Sequence, residues 1–140
     1  MSIALTILML GLALAIFGQT GKISGKLTYP SEGIPSDLVL CVKRYDLYAE
    51  PVYCSNERAS RLKGANIAFR LRTRAAAYDI TVPAGSYLVW AATADMPGVK
   101  AYYNEFIKCG MTVRCTSKAP VVIKVRKGQT VSGIKVGDFW

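Results

Sequence analysis

The side chains able to do chemistry in this 140-residue chain are four cysteines, nine carboxylates and eighteen lysines and arginines, with no histidine. Lack of an imidazole excludes Ser-His-Asp and Cys-His nucleophilic catalysis, His-ligated zinc and an imidazole general base near neutral pH. Among the carboxylates, Glu105 and Asp138 draw notice but nothing pairs them, whereas glycoside cleavage needs two carboxyls at a set separation. They read as solvated or ion-paired side chains. The sequence therefore predicts no catalytic residue, no metal site and no cofactor.

The cysteines are even in number, which in an exported chain favours two disulfides. Three pairings are formally open, and two local bridges are the simplest: Cys41 with Cys54, and Cys109 with Cys115. Each would stabilise by about 2–3 kcal/mol through the lost entropy of the unfolded chain. Neither Cys-x12-Cys nor Cys-x5-Cys is a zinc-knuckle spacing.

The cations are in large excess, at net +9 and a sequence pI near 9.6, which favours anionic partners. Arg70, Arg72 and Arg74 alternate with other residues, so in a strand they share one face. With Arg58, Arg61 and Lys63 from the preceding segment they predict a continuous positive patch, directed at an anionic polysaccharide or a membrane surface. The plainer reading is a charged edge strand that resists unwanted pairing. Nucleic acid is not expected, because no binding motif accompanies the charge. Trp90 and Trp140 are candidate aromatic contacts for sugars, against the plainer reading of Trp90 as packing material.

Residues 3–17 read IALTILMLGLALAIF, uncharged and apolar, and the first charge comes at Lys22. The run is shorter than the roughly 20 residues of a spanning helix. With Ile16 and Gly18 as a cleavage pattern it predicts a signal peptide over residues 1–18 and a single domain over residues 19–140. No lysine or arginine precedes the run, so a retained anchor is the competing reading, with a buried core helix behind it. Export implies a secreted, periplasmic or cell-surface location.

Beyond residue 18 the hydrophobic pattern has the period of strands, in short runs broken by Gly, Pro, Ser and Asp, which predicts an all-β sandwich. Expected strands begin around Ile23 and Leu27, run over Leu38–Lys43 with Cys41 opposite Leu40 and Val42, and return over Pro51–Cys54. Residues 55–65 read as a surface loop holding one helical turn. Ala68–Arg74 reads as an edge strand. The runs at Tyr78–Val82 and Tyr87–Ala91, joined by Pro83-Ala84-Gly85-Ser86, predict a hairpin. Further strands are expected over Tyr102–Ile107, Val121–Val125 and Val131–Val136.

Three segments then align with a known pattern. Gly21-Lys-Ile-Ser-Gly25, Tyr78-Asp-Ile-Thr-Val-Pro-Ala-Gly-Ser-Tyr87-Leu-Val and Val125-Arg-Lys-Gly-Gln-Thr-Val-Ser-Gly-Ile134 resemble carboxypeptidase regulatory-like, transthyretin-like domains. Tyr102-Tyr-Asn-Glu-Phe-Ile-Lys-Cys-Gly110, Cys115 and the closing Gly137-Asp-Phe-Trp140 resemble a secreted bacterial branch of that superfamily. The resemblance implies a seven- to eight-stranded Greek-key β-sandwich of transthyretin (prealbumin) type, mostly an accessory module. It does not carry over hydrolase activity. Hydroxyisourate hydrolases of this type use histidines and a Tyr-Arg-Gly-Ser terminus, and neither is present here.

Three functional readings result. The first is an exported, noncatalytic binding or cell-surface module. The second is a self-assembling or membrane-anchored, filament-type subunit, associating through an edge strand. The remote third is a transthyretin-like hydrolase.

Overall fold

The computed structural model describes residues 19–139; residues 1–18, with the expected signal segment, and Trp140 lie outside the described residues. The chain is mostly β. Its strands are β1 (Thr20–Lys26), β2 (Val39–Arg44), β3 (Val52–Cys54), β4 (Ala68–Arg72), β5 (Ala77–Pro83), β6 (Gly85–Ala92), β7 (Ala101–Tyr102), β8 (Ile123–Val125) and β9 (Thr130–Val131). Two short helices, α1 (Ala59–Gly64) and α2 (Glu105–Lys108), interrupt them. One sheet runs β4-β5-β1-β9; the other runs β3-β2-β6-β7, with β8 also on β6.

Period-two alternation places the core between these sheets. Ile23, Tyr78, Ile80 and Val82 from the first sheet bury against Leu40, Val42, Tyr87, Val89, Ile123 and Val125 from the second. The buried Tyr78 hydroxyl reaches past its β1 partner Gly25 to donate to the carbonyl of Ile134 at 2.5 Å. That bond satisfies a polar group which burial would otherwise penalise.

The expected hairpin between Tyr78–Val82 and Tyr87–Ala91 is not formed. β5 pairs with β1 and β4, whereas β6 pairs with β2, β7 and β8. The Pro83–Gly85 link is a corner between sheets. Alternation states which side chains face the core, and strands in opposed sheets satisfy it as well as neighbours do. The Tyr87 hydroxyl fastens the corner by donating to the Pro83 carbonyl at 2.6 Å.

A second difference concerns residues 102–107. Strand structure ends at Tyr102, and α2 begins after Asn104, whose side chain accepts the Ile107 amide hydrogen at 2.9 Å. Asparagine at this position supplies the acceptor that the open end of a helix lacks, and this local capping overrides the aromatic alternation.

The C-terminal segment returns along β1. β9 pairs with it in parallel, and the pairing continues past the strand as Ile134 and Val136 donate to the carbonyls of Ser24 and Lys26 at 3.1 and 3.0 Å. Gly25 permits this approach, because a Cβ there would run into the Ile134 carbonyl. Its role is close contact, whereas Gly128 and Gly133 supply the positive φ of the connecting turns.

Candidate functional site

Both disulfides are present, pairing Cys41 with Cys54 and Cys109 with Cys115. The first joins directly opposed positions of β2 and β3, with Cα atoms 4.1 Å apart, so the sheet register itself sets the pair. The second closes the loop after α2. Among the described residues no group of three or more Cys, Asp or Glu is gathered to hold a metal ion.

A concentration of cations lies on the outer face of the four-stranded sheet. β4 alternates exposed Ala68, Arg70 and Arg72 with half-buried Phe69 and Leu71, and β1 alternates exposed Lys22 and Lys26 with buried Gly21 and Ile23. Register fixes their neighbours: Arg70 lies opposite Asp79, Asp79 opposite Ser24, and Arg72 opposite Ala77, which is opposite Lys26. Four cations therefore surround one carboxylate on a face otherwise made of small residues. Asp79 is paired with Arg72 at 3.5 Å. In a sheet, alternate residues are about 6.5–7 Å apart along a strand and adjacent strands about 4.8 Å apart, so the cations form a shallow, open array.

The structure places the six residues expected in the patch on different elements. Arg70 and Arg72 share the strand face, but Arg74 lies beyond the end of β4, in a 3-10 turn over Thr73–Ala75. Ala76 then takes the left-handed conformation at φ 47° and turns the chain into β5. Three-residue alternation thus overran the strand. Arg61 is engaged with Glu57, and its guanidinium stacks over the Tyr53 ring at 4.8 Å; the Glu57 hydrogen bond raises its pKa above the usual arginine value. Arg58 is exposed at the start of α1.

Lys63, on α1, lies beside the Thr20, Ala68 and Thr81 end of this face. A cavity of about 540 Å³ between α1 and β4 is lined by Leu62, Lys63, Phe69, Thr20 and Thr81. It shares Thr20 and Thr81 with a smaller one, about 190 Å³, around Lys22, Gln129 and Thr130. Lys22 and Lys26 escaped the sequence reading because their spacing looks like ordinary strand alternation. Only the placement of β1 two strands from β4 gathers them with the arginines.

Trp90 projects from the outer face of the other sheet, yet it is only 4 % exposed. The Tyr102 ring packs against it at 5.3 Å, and the Lys100 ammonium sits 5.2 Å from its ring centroid. Covered in this way, the indole has little surface to offer a sugar. Of the two carboxylates singled out by sequence, Glu105 is exposed at the start of α2. Asp138 is buried and accepts from Asn104 at 2.7 Å, with Lys118 at 3.4 Å.

No protein-family model, curated protein or solved structure matches the chain.

Proposed function

We propose that the chain is an exported, noncatalytic β-sandwich module of Greek-key, transthyretin-like type, which binds an anionic polysaccharide through the outer face of its four-stranded sheet. The observation carrying this reading is the array of Lys22, Lys26, Arg70 and Arg72 around the lone Asp79. A flat cationic face suits an extended polymer with repeating charges better than a small enclosed ligand. Export is supported by the two disulfides, which persist in oxidising compartments. The noncatalytic reading is supported by the missing histidine.

Binding to heparin, as a model acidic glycan, tests it. Wild-type binding is expected to weaken steeply with salt, since exposed charges are screened. A Lys22→Gln, Lys26→Gln, Arg70→Gln variant should lose most of it, while Arg74→Gln should not. Unchanged binding in the triple variant, or salt-independent binding, overturns the reading.

A second reading, self-association, is favoured by one observation: β4 forms an edge of its sheet, paired only to β5 among the described strands. Strand addition at that edge would make oligomers that grow with concentration and are abolished by Leu71→Pro. A sedimentation profile independent of concentration rules it out.

A further inference from the structure

One end of the sandwich gathers three loops around the point where the described chain begins. The Gln19 carbonyl accepts from Ala84 at 2.7 Å, the Thr20 carbonyl accepts from Gly128 at 2.9 Å, and the Ser86 carbonyl accepts from Tyr45 at 2.7 Å. The corner at 83–85, the turn at 126–129 and the long loop after β2 therefore stand side by side.

That long loop is unusual in what it exposes. Tyr48 is fully exposed at 101 %, Tyr45 is 62 % exposed and Leu47 46 % exposed. With Leu88 and Lys43 they line an open cavity of about 590 Å³. Clustered exposed apolar side chains of this size mark contact sites more often than chance. The loop is also held in shape: the Cys41–Cys54 disulfide closes its base, and Arg44 donates twice to Asp46, at 2.9 and 3.4 Å. The hydrogen bond from Arg44 holds the Asp46 carboxyl below the usual aspartate range. Lys43, Arg126 and Lys127 are exposed nearby, and Glu50 is the remaining acid of the loop.

We infer that this end, with Tyr45, Leu47 and Tyr48 as its tip and Lys43, Arg126 and Lys127 as its flanks, docks on an anionic lipid bilayer. Tyrosine suits the headgroup boundary, where its ring is buried and its hydroxyl stays wet. Basic side chains beside it meet the negative surface potential of anionic lipid. The apolar residues 3–17 join the domain through Gln19 at this same end. A chain that keeps them has both its attachment point and its tyrosine tip turned toward one membrane. This inference does not rest on the basic sheet face, which belongs to the other sheet.

The test uses the full chain and a probe on the loop, Tyr48→Trp, at a fully exposed position. Adding phosphatidylcholine vesicles that contain phosphatidylglycerol should shift the emission of this variant to the blue, relative to wild type, and salt should reverse the shift. Pure phosphatidylcholine should give little. A Tyr45→Ser, Leu47→Ser, Tyr48→Ser variant should lose about tenfold in vesicle partitioning, equivalent to about 1.4 kcal/mol, while keeping its heparin binding. An unshifted probe overturns the inference, including the case where residues 1–18 alone carry the chain to the vesicle. The same blue shift with glycerol phosphate or heparin also overturns it, by assigning the loop to a soluble anion.

Discussion

The Asn104 amide donates to the Asp138 carboxylate at 2.7 Å, with both residues buried and 34 positions apart in the chain. Asn104 works in two directions, since its carbonyl oxygen also caps α2. One side chain thus fixes the helix start and docks the C-terminal segment, while Lys118 balances the second carboxylate oxygen. Asn104→Ala removes the cap and leaves a buried carboxylate short of a donor, a combined cost of about 2–4 kcal/mol. Urea unfolding measures it. Asn104→Asp would keep the cap but place two carboxylates together, and should be no more stable than the alanine variant.

Alkaline pH should weaken the fold through its tyrosines. Burial raises the Tyr87 pKa from 10.0 to about 12, and burial likewise drives Tyr78 well above the tyrosine range. The folded state therefore holds both hydroxyls protonated after the unfolded chain has begun to ionise. Stability is fully present below pH 10 and falls as pH rises from 10 through about 12. Urea midpoints measured across this range should decline, and less steeply in Tyr87→Phe, which also loses about 1 kcal/mol at neutral pH with its bond to Pro83. An equal slope in the two proteins would remove Tyr87 as a cause.

The two disulfides should differ in accessibility. Cys41 is 4 % exposed and lies within paired strands, whereas Cys109 is exposed in the loop after α2. Limited reduction followed by alkylation and peptide mass mapping should label Cys109 and Cys115 first. Loss of either bridge should cost about 2–3 kcal/mol by the chain-entropy argument.

Close approach at Gly25 predicts a contrast between two glycines. Gly25→Ala drives a methyl into the Ile134 backbone and should destabilise by about 1–3 kcal/mol, the usual cost of overpacking. Gly64 has open space around it and no positive φ. Gly64→Ala should be neutral, or stabilising by up to about 1 kcal/mol through the unfolded chain. Equal effects at both sites would show that contact with the C-terminal segment is not what Gly25 is for.

An intact mass of the protein recovered from its native host, without reduction, checks export. The expected species begins at Gln19 and is four hydrogens light, one pair for each disulfide. A species retaining Met1 to Gly18 would instead make the apolar run part of the working protein.

Much of this was legible in residue order. The alternation of Ile23, Leu40, Val42, Tyr78, Ile80, Val82 and Val89 marks core faces, because a strand exposes side chains with a period of two whatever lies beside it. The local disulfides were legible too, since a short return strand puts Cys54 back beside Cys41. Pairing partners were not: Tyr78–Val82 and Tyr87–Ala91 look alike whether they share a sheet or face each other across the core. The cation array shows the same division. Local spacing joins Arg70 to Arg72 within one strand, but Lys22 and Lys26 stand some fifty residues away and join them only because β5 pairs with β4 on one side and β1 on the other. Face is a local property of the backbone, while neighbourhood depends on long-range hydrogen bonding that no short stretch of residues encodes.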